Sequence, residues 1–118
     1  MIYRLICAAL LPLMLSACAS DPAPTEQLRL SEQALNQAKA LGISTEQSPS
    51  LRLAEEKLAL AQAAMQDQDY KQARVLAEQA ELDARLAEAE HLTEKSRQQL
   101  VELSNAINRL RKQLGSVQ

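Results

Sequence analysis

The 118-residue chain has no tryptophan and no phenylalanine, and it has only two tyrosines, two glycines, four prolines and two cysteines. Each scarcity excludes something. Two glycines cannot make a phosphate-cradling loop, in which close glycines let backbone N–H groups approach the ligand. Two aromatics leave no stacking platform for single-stranded nucleic acid, and a net charge of −2 gives no basic footprint for a duplex. No Cys or Ser stands beside a base in a pattern that activates a nucleophile. The single histidine, His91, follows Glu88 and Glu90. One imidazole beside exposed carboxylates reads as a surface or seam residue rather than a metal ligand. The expectation is no enzyme, no cofactor, no metal and no nucleic acid. What is abundant is Ala, Leu, Gln and Glu, all good helix formers with few β-formers to compete. The fold class expected is all-α.

The first eighteen residues have their own logic. Met1-Ile2-Tyr3-Arg4 carries one positive charge, Leu5 to Leu15 is apolar apart from Pro12, and small residues Ser16 and Ala17 follow. That is the order of a secretory signal, and the run is shorter than the roughly 20 residues a spanning helix needs. Leu15-Ser16-Ala17-Cys18 resembles, at all four positions, the lipobox of bacterial lipoproteins. The resemblance implies cleavage between Ala17 and Cys18, a diacylglycerol on the Cys18 thiol and an acyl chain on its new amine. Cys7 would leave with the signal, so lipidation also accounts for an otherwise unpaired Cys18. The plainer alternatives are an ordinary signal cut nearby or an uncleaved anchor. Ala19 rather than Asp after the Cys implies, by resemblance to Gram-negative sorting, the periplasmic face of the outer membrane. The mature chain would then hold twelve bases against fifteen acids, a net of −3.

From Cys18 to Thr25, with prolines at 22 and 24, the chain reads as a short stiff tether of roughly 20 Å. Residues 26–118 read as one helical domain with helices at about 26–41, 49–67 and 70–113. The first places Leu30, Ala34, Ala38 and Leu41 on one face, flanked by Leu28 and Leu35, and Gly42 suits a left-handed cap. Ser48-Pro49 is an N-cap followed by a first-turn proline. The second helix has a 3-4-3-4 seam of Leu51, Ala54, Leu58, Ala61 and Met65. Asp69 with Gln72 resembles a capping box that opens the third helix at Tyr70.

The third helix carries two stripes. Ala73, Ala77, Ala80, Ala84 and Ala87 allow a neighbouring backbone to approach closely, as in a tight antiparallel hairpin. Leu100, Leu103, Ile107, Leu110 and Leu114 form a larger stripe beyond the reach of the shorter helices. A three-helix bundle covers the third helix only to about residue 90, so these five side chains have no partner in the chain. They are expected to self-associate or to dock on an envelope protein; a frayed tail or a fold-back onto the bundle is the plainer alternative. Charge is segregated along the same helix, with six acids and Arg85 in 78–94, then five bases and Glu102 in 95–112. A solvated face explains this, as does a polar code that orients a partner. With an amino-terminal anchor, the first helix leaves the membrane, the second returns and the third leaves again, sending its Leu-rich tip away from the lipid.

The stretch LRLAEEKLALAQAAMQDQDYKQARVLAEQAELDARLAEA, Leu51 to Ala89, resembles the bacterial envelope proteins grouped as domain of unknown function 4398, most tellingly in LAEQAELDARLAEA at Leu76–Ala89. The similarity continues from about Ala23 to Leu114. It implies a small helical envelope protein, often a lipoprotein, and supplies no active site. In some members the domain precedes an OmpA-like peptidoglycan-binding domain, which is not read here. The hairpin at Asp69-Tyr70 is also similar to a tetratricopeptide turn, but one pair falls short of the three repeats such arrays need. The function expected is a lipid-anchored, non-enzymatic interaction module or periplasmic spacer. The alternatives are a stabiliser that associates non-covalently with peptidoglycan, or an accessory lipoprotein regulating an envelope enzyme or transporter. The covalent route through a C-terminal Lys, used by the abundant small lipoprotein of enteric bacteria, is not expected from the ending Leu114-Gly115-Ser116-Val117-Gln118. Cells fed labelled palmitate are expected to label this protein, and Cys18→Ser is expected to abolish the label and release the protein from membranes. Equal membrane retention without that sulfur would show that no lipid holds it.

Overall fold

The computed structural model describes residues 21–116, which form three helices and no strand. The expected signal, its cleavage site at Ala17–Cys18 and the lipidated Cys18 lie outside these residues. The helices are α1 (Thr25–Ala40), α2 (Pro49–Gln66) and α3 (Tyr70–Gly115). Their limits follow from local chemistry. Ser48 is extended and its side chain accepts from the Leu51 N–H at 3.2 Å, with Pro49 in the first turn of α2. Asp69 caps α3 the same way, accepting from Gln72 N–H at 3.1 Å.

That second cap is only half of the expected box. The Asp69 N–H is already used by the end of α2: it donates to the Ala64 carbonyl at 2.9 Å, while the Gln68 N–H donates to Met65 at 3.2 Å. These two bonds make a Schellman motif, with Gln68 in the left-handed position at φ 61°. A glycine normally stands there. At the matching place after α1, Gly42 has φ 82° and its N–H donates to Lys39 at 2.9 Å.

Ion pairs and hydrogen bonds set the register. Lys57 Nζ meets Asp83 Oδ2 at 2.5 Å, and the Ser50 hydroxyl donates to Glu90 at 3.0 Å. Seven residues back along α2 correspond to seven forward along α3, which is the signature of antiparallel neighbours. Lys39 meets Glu55 at 2.6 Å and Gln62 donates to Glu32 at 3.0 Å, so α1 and α2 are antiparallel by the same argument. It follows that α1 and α3 run parallel. Polar pairs of this partly exposed kind contribute up to about 1 kcal/mol each; their larger effect is to select one register.

The core is small and aliphatic. Ala34, Leu35, Ala38, Leu51, Ala54 and Leu58 meet Ala80, Ala84 and Ala87 in one buried cluster. All five alanines of the α3 small stripe are buried, as its spacing implies. Without side chains beyond Cβ on that face, the α1 and α2 backbones settle close to α3, and a larger residue there would overpack by about 1–3 kcal/mol. Two expectations change. Leu41 is exposed because α1 stops at Ala40 and the chain turns at Gly42; Ile43, read as loop, is buried in its place. Residues 22–25, read as tether, belong to the folded unit: Pro24 is fully buried and Arg74 donates to the Pro22 carbonyl at 3.1 Å.

Relieving the left-handed strain is expected to be measurable by urea unfolding. Gln68→Gly should raise stability by about 0.5–1 kcal/mol, whereas β-branched Gln68→Val should lower it by about 1 kcal/mol or more.

Candidate interaction face

Burial along α3 ends at Ala87. Beyond half-buried His91, every described residue from Leu92 to Ser116 is exposed except Ala106, which is half-buried. At 1.5 Å per residue the whole of α3 measures roughly 70 Å, so about half of it stands clear of the bundle. Leu100, Leu103, Ile107, Leu110 and Leu114 all lie on this free part, 42–73% exposed. The fold-back onto the bundle is not what the structure shows.

Local interactions alone do little to hold this segment. Arg97 lies 3.5 Å from Glu94, Gln98 donates to Glu94 at 3.3 Å, and both pairs are solvent-exposed. Isolated helices of such length are marginal in water, and most helical stability comes from packing an apolar face.

The face is longer than the tip. Counting back by heptads from Leu100 and Leu103 gives Thr93 and Ser96, then Leu86 and Ala89, then Gln79 and Leu82, and finally Gln72 and Val75. All of these are exposed, Leu82 at 65% and Leu86 at 49%. These positions lie nearly opposite the buried alanines around the helix, so building the bundle on the alanine face leaves the second stripe outward along all of α3. On α2, exposed Leu53 and Leu60 flank Lys57 at i−4 and i+3, on the side that reaches Asp83 of α3. Reading only 100–114 missed this continuity. The signal was the heptad phase of Val75, Leu82, Leu86 and Ala89, broken by Gln79 and masked because the alanine stripe claims the same stretch of sequence.

The remaining candidates have no comparable setting. His91 lines a shallow groove at the rim of the bundle with Ile43, Pro49, Glu90 and Glu94. Glu90 there already accepts from Ser50, and no cluster of three His, Cys, Asp or Glu that could hold a metal occurs among the described residues. At the other end, Arg29 hydrogen-bonds Glu26 and holds its carboxyl below the usual range. That small contribution is present above the ordinary carboxylate value and is lost as pH falls through the depressed one. Among the described residues no helix is long and apolar enough to cross a membrane.

A long helix with small residues inward and large ones outward, clasped by two short helices, is the arrangement to set beside known proteins. The family model described as Domain of unknown function (DUF4398) matches residues 26–103. The chain belongs to the DUF4398 family. A crystal structure of a DUF4398 family protein from Pseudomonas aeruginosa PAO1 is similar at 59% identity, covering 82% of this chain and 100% of that one, with a TM-score of 0.77. No curated protein matches. For this DUF4398 chain, the two leucine environments should separate in unfolding experiments at submicromolar concentration. Leu51→Ala is expected to cost about 2–5 kcal/mol, whereas Leu103→Ala should change stability by no more than about 0.5 kcal/mol.

Proposed function

We propose that this DUF4398 protein is a lipid-anchored, non-enzymatic interaction module of the cell envelope whose binding surface is the outer face of α3. The observation that carries the reading is the unpartnered apolar stripe. Burying one large aliphatic side chain contributes about 1.5–3 kcal/mol, so five left wet at the tip forfeit enough free energy to drive association.

The anchor is Cys18, carrying a diacylglycerol and an N-acyl chain, on the periplasmic face of the outer membrane. Two or more acyl chains hold a protein stably, since each buried methylene contributes about 0.8 kcal/mol. With Pro24 buried and Pro22 held by Arg74, only Ala19, Ser20 and Asp21 separate the anchor from the folded unit. Three residues reach about 14 Å at most, counted to Pro22. The end of the bundle containing Arg74 therefore rides close to the lipid, and α3 of a single copy runs away from it.

A second reading, association with anionic peptidoglycan, is favoured by one feature. Arg109, Arg111 and Lys112 cluster near the tip and make no ion pair among the described residues. Crosslinking in intact cells compares the full-length protein with a form truncated after Gln99. The truncated protein is expected to lose protein crosslinks; identical crosslink patterns would remove the tip from the function, and loss of peptidoglycan co-sedimentation alone would favour the second reading.

A further inference from the structure

The outer face of α3 has a symmetry that names its occupant. Pair two copies of the helix head to tail so that position numbers across the contact add to 189. Leu114 then faces Val75, Ile107 faces Leu82, Leu103 faces Leu86 and Leu100 faces Ala89, while Leu110 falls opposite the polar Gln79, and each pair occurs twice. The large side chains of the free tip thus fall on the exposed, sparser stripe over the bundle. The register spans nearly six heptads, whereas the tip alone has fewer than three; sustained coiled coils need at least about three to four. In this register the bundles occupy opposite ends of the paired helices and do not overlap.

The charges obey the same axis. It falls between Glu94 and Lys95, at the boundary where the acidic segment gives way to the basic one. Head-to-tail pairing lays the acids of 78–94 beside the bases of 95–112 of the other copy, and sets Glu90 within two positions of Arg97, twice. Parallel pairing stacks like on like. At the centre, Thr93 faces Ser96, two hydroxyls whose hydrogen bonds are made within their own helix. Thr93 donates to the Ala89 carbonyl at 2.7 Å and Ser96 to Leu92 at 2.8 Å, so both enter an interface already satisfied.

We infer that the occupant of this face is a second copy of the chain, joined as an antiparallel α3–α3 dimer about the Glu94–Lys95 boundary. The inference rests on the reading of α3 as a docking surface and deepens it. Its geometry has a consequence for the anchors. Arg74, which holds the anchored end, lies level with Gly115 of the other copy, so the two anchors sit roughly 60 Å apart at opposite ends. With such short tethers, the dimer lies along the membrane instead of standing on it.

The test uses the chain from Ala19 onward, which lacks cysteine; the hydrophobic core cluster runs from Ala34 to Ala87, so the shortened chain keeps all of it. Light scattering at tens of micromolar is expected to give a dimer mass. Leu82→Asp and Ile107→Asp, both at exposed positions, are each expected to weaken dimerisation by at least about tenfold while leaving the urea unfolding of the bundle unchanged. Oxidising Leu86→Cys mixed with Leu103→Cys should link the two variants to each other, and neither alone should link to itself. A strict monomer overturns the inference. So does a dimer that tolerates Leu82→Asp or crosslinks through Leu103→Cys alone, since either means parallel or tip-to-tip pairing. If the protein is monomeric yet cellular crosslinks still require the tip, the docking surface stands and only its occupant changes.

Discussion

The alanine face of α3 is the constraint on which the rest of the molecule depends. Five residues with nothing beyond Cβ let two short helices settle against one long one, and only a handful of larger aliphatics, Leu35, Ile43, Leu51 and Leu58, are needed to fill what space remains. A core built in this way gains from close backbone approach and many small dispersion contacts.

Choosing that face for the core decides the fate of the other. A helix can turn only one sector inward, so the leucine stripe points outward wherever the alanine stripe points in. The length mismatch compounds this, because α1 and α2 together cover only the first half of α3. Over the bundle, Leu82 and Leu86 are exposed because the core is behind them. Beyond it, Leu100 to Leu114 are exposed because the core has ended. Two different causes yield one stripe, interrupted by Gln79, Thr93 and Ser96, and its regular heptad phase distinguishes it from scattered apolar residues, which are ordinary on any protein.

Family membership and physical reading agree on the coarse picture and meet at different places. Similarity to the crystallised Pseudomonas aeruginosa relative covers the helical unit, while the proposed lipid anchor is drawn from the first eighteen residues of the sequence. The short spacing from Cys18 to Pro22 links the two halves of the molecule. A long tether would let the bundle adopt any orientation; with Cys18 as the proposed anchor, three residues would restrict it to a few, and the proposed pairing along α3 would then set how the copies sit on a membrane.

Much of the fold could be read from the chain alone. The helix limits at Ser48-Pro49, Gly42 and Asp69 are local events, decided by side chains that bond the nearest backbone, and the alanine seam follows from periodicity. What local rules could not reach were contacts made across distance. Ile43 enters the core because α1 ends one residue before Leu41, Pro24 is buried because Arg74 reaches back to Pro22, and Gln68 holds a left-handed turn because two helix ends compete for the Asp69 N–H. The outer stripe belongs to both accounts. Its spacing is written in the amino-acid order, but whether Val75, Leu82 and Leu86 were core or surface depended on which face of α3 the other helices took, and only packing in three dimensions makes that choice.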